Sequence, residues 1–126
     1  MRLVLDAGAL IALERGDRLT WRLLREAHAR GELPITHGGV VAQAWRKGGP
    51  RQASLARALA GVDVRPLDDA LGRATGRLLA DTRTSDIVDA ALVVLTRDDD
   101  LVLTSDPDDL DPLARALGRE LEVIVV

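Results

Sequence analysis

The sequence predicts an α/β fold: a three-layer α/β/α sandwich around a central, mostly parallel sheet of about five short strands, in one domain over residues 1–126. Three observations predict it. Short apolar runs alternate with helical stretches along the whole chain, and that alternation argues for a parallel sheet covered on both faces. A chain of 126 residues has the length of one domain and can bury a real core without staples. No internal repeat, low-complexity segment or linker interrupts it.

The elements follow in order. Arg2 to Leu5 is a short apolar strand ending in Asp6, and Ala7 to Arg15 is a helix stopped by Gly16. Arg18 to Arg30 is a second helix, with Leu19, Leu23, Leu24 and Ala27 facing in and Arg22, Arg25, Glu26 and Arg30 facing out. Leu33 to Thr36 is a strand whose Pro34 suits a sheet edge. Val40 to Lys47 and Gln52 to Ala60 are helices separated by Gly48-Gly49-Pro50. Val62 to Pro66 alternates like a strand. Asp69 to Ala80 is helical, and Asp86 to Leu95 is a nearly all-apolar helix. Leu101 to Thr104 is a buried strand, Asp108 to Leu117 a helix, and Glu122 to Val126 a final strand. The order is β α α β α α β α α β α β.

Composition narrows the chemistry. The chain has no cysteine, which excludes disulfides, Cys-ligated zinc, iron–sulfur clusters and thiol nucleophiles. Two histidines, His28 and His37, are too few and too scattered for a zinc site. The longest apolar run, Ala90 to Leu95, is far short of a membrane span. Charge arrives at Arg2, too early for a signal peptide, so a cytoplasmic location is expected. The net charge of −3 excludes a bulk polycation that coats nucleic acid through charge alone. All basic residues but Lys47 are arginine, a bias that a GC-rich genome also produces. The excess of Asp over Glu needs another reason, because Asp is a poor helix former and much of this chain reads as helix.

Several aspartates fall where an α/β sheet binds ligands. Such sites lie beyond the carboxyl ends of the strands, where strand order reverses. The first strand runs into Asp6 and the late strand into Thr104-Ser105-Asp106, so both carboxylates belong to one edge of the sheet. Asp86 and Asp89 stand three apart at a helix start and share a face. That start is expected at the opposite edge unless the chain reverses at Asp81 to Ser85. Four carboxylates at one site repel unless cations neutralise them, and oxygen-only donors suit Mg²⁺ or Mn²⁺. Such ions activate water for phosphoryl transfer without a protein nucleophile.

At these residues the chain resembles the PIN-domain family, and within it the VapC-type toxin ribonucleases of bacterial toxin–antitoxin pairs. Val4 to Asp17, opening Val-Leu-Asp-Ala-Gly-Ala-Leu, is similar to the first family motif. Asp86-Ile87-Val88-Asp89-Ala90-Ala91 is similar to the Asp-Ala motif, and Thr104-Ser105-Asp106 to the Thr-x-Asp motif. The resemblance covers nearly the whole chain. It implies a PIN-like fold and a Mg²⁺- or Mn²⁺-dependent endoribonuclease, the toxin of a type II pair. Asp6, Asp89 and Asp106 become the implied metal ligands, with Asp86 a further catalytic candidate. RNA, a cognate antitoxin and a second copy of the chain become the implied partners.

One departure stands out. The family carries Glu on its third helix, where this chain has Gln43. Gln keeps an oxygen but loses the charge and cannot act as a base, so metal affinity should fall. Glu14 is a candidate to compensate. The departure supports an alternative reading, a catalytically weakened module that binds RNA or protein. Gln43, Arg46, Lys47 and Ser105 are the candidate substrate contacts, with Arg51 beside them.

Plainer roles compete for the same residues. Asp86 and Asp89 fit an N-cap and an acid of the first turn, and Asp106 fits a cap before Pro107. Asp6 finds no such use. Asp98 to Asp100, and Asp108, Asp109 and Asp111, read as solvated turns and helix starts. Trp21 and Trp45 read as packing, and His37 as a turn histidine. A phosphoacceptor receiver domain is rejected because a single Asp follows the first strand and no late lysine exists. A haloacid-dehalogenase-type phosphatase fails because Gly8 stands where its second Asp belongs.

Overall fold

The computed structural model describes residues 1–126. The elements are β1 (Leu3–Leu5), α1 (Ala7–Glu14), α2 (Arg18–Ala29), β2 (Ile35–His37), α3 (Gly38–Ala44), α4 (Pro50–Leu59), β3 (Asp63–Arg65), α5 (Asp69–Thr82), α6 (Ile87–Leu95), β4 (Leu101–Thr104), α7 (Pro107–Ala116) and β5 (Glu122–Val125). The strands form one sheet in the order β3-β2-β1-β4-β5, and every neighbouring pair is parallel.

The sheet order follows from elementary rules. β1 and β4 are buried along their whole length, as continuous apolar runs in a parallel sheet must be. They pair directly, with Leu3, Val4 and Leu5 opposite Leu101, Val102 and Leu103. From β1 the chain steps outward to β2 and β3, then crosses back to β4 and β5 on the other side. Right-handed crossovers made in opposite directions put their helices on opposite faces. Accordingly α1 packs with α2, α3 and α4, while α5, α6 and α7 pack with one another. Strand order reverses between β1 and β4, the place where open α/β sheets bind ligands. No helix is long and apolar enough to cross a membrane.

Four expectations need correction. β2 lies inside the sheet between β1 and β3, not at an edge. Pro34 is tolerated because it precedes the strand, where only its carbonyl is used, accepting from the Asp63 N–H at 2.8 Å. α3 begins at Gly38 and ends at Ala44, because His37 caps its start and Trp45 is extended. α6 starts at the carboxyl edge, and the chain does turn between α5 and α6, at Arg83 to Asp86, with Arg83 at φ 55°. A helix that runs antiparallel to β4 starts where the strands end, so its N-terminus belongs at the carboxyl edge. Asp100 is not a solvated turn residue. It is 5% exposed and takes a two-pronged bond from Arg2, at 2.8 and 3.2 Å.

The two tryptophans part company. Trp21 packs against the core, and its indole N–H donates to the Leu13 carbonyl at 2.9 Å. Trp45 lies outside the core cluster and is 44% exposed.

Candidate active site

Asp6 leaves β1 and becomes the N-cap of α1. Its carboxylate accepts the Ala9 N–H at 2.9 Å. It therefore has the capping use that its sequence context did not show. The side chain is almost fully buried. Burial pushes its carboxyl above the usual aspartate range, against hydrogen bonds from the Thr104 hydroxyl and the N–H groups of Ala9, Gly8 and Ser105.

Gly8 makes a close approach to Ser105 possible. A Cβ at this position would lie 2.7 Å from the Ser105 Cβ and 2.9 Å from its backbone nitrogen. Gly8→Ala is expected to displace the Ser105–Asp106 turn and to cost about 1–3 kcal/mol, the usual range for overpacking. Urea unfolding checks it: a midpoint equal to that of the native chain means the turn yields freely.

Asp106 follows β4 at the N-cap position of α7, but its side chain makes no capping bond. Its only side-chain partner is the Ser105 hydroxyl, at 3.4 Å. The backbone turn is held instead by the Thr104 hydroxyl, which accepts the Asp106 N–H at 3.0 Å. The plain capping role that suited Asp106 in sequence is thus absent. For Asp86 it is real: its carboxylate caps α6 through the Asp89 N–H at 3.0 Å.

These side chains meet. A cavity of about 170 Å³ at the carboxyl edge is lined by Asp6, Asp86, Asp89, Asp106 and Asp109, with Gln43, Ser105, Ala7 and Gly8 between them. No lysine or arginine lines it. The charges feel one another. The Asp89 carboxyl is pushed up to about 7, first by burial, then by the charge and hydrogen bonding of Asp86, then by the charges of Asp109 and Asp6. Nevertheless, no three acidic or histidine side chains converge closely enough to hold one ion. The cavity gathers the oxygen donors without closing them on a point.

Asp109 is the residue the sequence reading missed, having been placed among solvated helix starts. A signal existed: Asp106 and Asp109 repeat the three-residue spacing of Asp86 and Asp89 at a second helix start. Arg46 and Lys47 are not brought to the cavity. The Arg46 guanidinium folds back onto the carbonyls of Ala42 and Trp45, at 3.2 and 2.7 Å, and closes the end of α3. Glu14 ends α1, about 12 Å of helix away from Asp6, and cannot stand in for the missing Glu. His37 is a buried strut. Its Nδ1 accepts the Gly39 N–H at 3.0 Å, which leaves Nε2 to donate to the Val88 carbonyl at 2.9 Å. Burial lowers its pKa despite the Val88 bond, and the strut ties β2 and α3 to the first turn of α6.

The solved structure of VapBC2 from Rickettsia felis, bound to a DNA fragment from their promoter, superposes with a TM-score of 0.72. The match covers 98% of this chain and 99% of that chain. This chain has the PIN-type fold. At 12% identity the likeness is one of fold. No family model matches the chain, and no curated protein sequence does. On the PIN-type scaffold the acidic cavity occupies the switch point between β1 and β4, with α6 and α7 each adding an acidic first turn.

Proposed function

We propose that this chain is a metal-dependent endoribonuclease that hydrolyses RNA phosphodiesters, and the toxin of a type II toxin–antitoxin pair. One observation carries the reading: five aspartates from three separate segments line one cavity that contains no positive side chain. The donor set is all oxygen, which fits a hard divalent ion such as Mg²⁺ or Mn²⁺. Asp6, Asp89 and Asp106 would hold it once their side chains close inward from the cavity walls. When bound, such an ion lowers the pKa of water and offsets charge on the phosphoryl oxygens.

The chain's own residues do the rest. Asp6 is held in place by the Ala9 N–H. Asp106 spends nothing on capping and keeps its carboxylate available. Asp89 is pushed up by burial and by the charges of Asp86, Asp109 and Asp6, a repulsion that a bound cation would offset. Ser105 offers a hydroxyl at the cavity wall, and Gln43 an amide that can donate to a phosphate oxygen.

VapBC2 was solved bound to a DNA fragment from their promoter, and a cognate antitoxin belongs to the same proposal by that likeness; a homodimer and a cytoplasmic location are proposed with it. A second reading has its own support. Gln43 stands on the cavity wall in place of the family's Glu, which favours a module that binds RNA or protein with little turnover.

The test is cleavage of single-stranded RNA by the full chain with Mn²⁺, with and without EDTA. Cleavage is expected with Mn²⁺ and none with EDTA. Asp106→Asn is expected to lower it about tenfold or more, because its side chain supports no helix and its loss reports on chemistry rather than folding. Cleavage that survives EDTA sinks the metal assignment, and binding without cleavage supports the second reading.

A further inference from the structure

One stretch of this acidic protein contains no acid. Between Glu32 and Asp63 lie thirty residues with four cations, Arg46, Lys47, Arg51 and Arg57, and neither Asp nor Glu; the other 96 residues carry 13 cations and 20 acids. The stretch includes α3, whose Gln43 lines the acidic cavity. Two residues beyond Gln43 stands Trp45, at most about 7 Å of chain away. Its indole is among the largest apolar groups the surface exposes. Arg46, Lys47 and Arg51 form no ion pair with any carboxylate.

The backbone around Trp45 is fixed. The Trp45 N–H donates to the Val41 carbonyl at 2.8 Å, and the Arg46 N–H donates at 2.7 Å to the side chain of Gln52, itself 6% exposed. Gly48 and Gly49 then turn the chain at positive φ into α4. The indole is therefore presented on a held strand, without the entropy cost of ordering a loose loop.

We propose that this acid-free lip, from the end of α3 to the start of α4, docks single-stranded RNA, with the Trp45 indole stacking on one base and Lys47 and Arg51 taking adjacent phosphates. The inference rests on the ribonuclease reading for its choice of ligand, and it names the substrate class: unpaired strand, because only an unpaired base offers its face to an indole. It also explains how an anionic substrate approaches a cavity walled by five aspartates. The lip supplies the opposite charge beside it, and guanidinium and ammonium groups compensate for the repulsion the carboxylates create.

The experiment is a titration of the full chain with an oligouridylate of about ten nucleotides, in EDTA so that no cleavage occurs, followed by tryptophan emission. Saturable quenching is expected. Trp45→Ala is expected to weaken binding about fivefold or more and to abolish the quench, whereas Trp45→Phe keeps most of the affinity but loses the signal. The same sequence as a duplex is expected to leave the emission unchanged. Unaltered affinity in Trp45→Ala overturns the proposal. So does an emission that follows protein concentration rather than RNA, which places a second copy over the indole. The two readings separate cleanly: quenching without Mn²⁺-dependent cleavage sinks the ribonuclease and leaves the lip, and cleavage untouched by Trp45→Ala does the reverse.

Discussion

Asp89→Asn is expected to make the metal-free protein more stable at pH 8 while lowering RNA cleavage at least about 100-fold, beyond the cost of losing a group that merely orients a ligand. The stability gain follows from linkage. In the folded chain the Asp89 carboxyl titrates near 7, against 3.8 for an unperturbed aspartate. A raised folded pKa stabilises fully below the unfolded value and is lost as pH rises through the folded one. Between about pH 4 and pH 7, therefore, stability falls as the buried carboxylate is forced to ionise beside Asp86, Asp109 and Asp6. Unscreened, a shift of about three units corresponds to about 4 kcal/mol; Asp89 is only half buried, and solvent screening reduces this to about 1–2 kcal/mol. Asn removes the charge and with it the penalty. Urea unfolding in EDTA at pH 5 and pH 8 checks it. His37 works in the opposite direction, since its lowered pKa costs stability as pH falls through about 6.5. Comparing variant and native chain at each pH cancels that contribution. Equal stabilities at pH 8 would mean that the Asp89 carboxylate suffers neither from burial nor from repulsion.

Arg2→Ala is expected to cost about 3–5 kcal/mol, the range for breaking a buried ion pair by removing one partner. Arg2 reaches Asp100 through Nε and Nη2 and also donates from Nη2 to the Leu95 carbonyl at 2.9 Å. Asp100 additionally accepts the Arg97 N–H at 2.7 Å, so its carboxylate holds the whole α6–β4 turn. Without the guanidinium a carboxylate remains buried and unpaired. Asp100→Ala combined with Arg2→Ala should therefore be less damaging than the sum of the single changes, and a double-mutant cycle by thermal or urea unfolding measures the coupling. A single-variant loss under about 1 kcal/mol would place the pair in solvent.

Much of the fold was legible because its signals are local. The runs Leu3-Val4-Leu5 and Leu101-Val102-Leu103 announce buried parallel strands, and the aspartates that follow them mark a common edge. Asp86 and Asp89 were legible through helical spacing. What escaped depends on partners far along the chain. Asp98, Asp99 and Asp100 look alike in sequence, and only Arg2, 98 residues away, makes the third a buried anchor. The apolar spacing of α3 runs on past Ala44, but the Gln52 side chain captures the Arg46 N–H and ends the helix early. Trp45 stays outside for the same reason. Asp109 was hidden by its company, since Asp108, Asp109 and Asp111 are all exposed and only Asp109 lines the cavity.

The pairing of β1 with β4 has a consequence for synthesis. Asp106 and Asp109 leave the ribosome a hundred residues after Asp6, and the strand that seats Asp6 has no β4 neighbour until then. Pairings this remote in sequence form late. A nascent chain therefore carries only part of an acidic cavity while about a hundred residues are added, and the machinery making it meets the assembled site only after β4 and α7 have emerged.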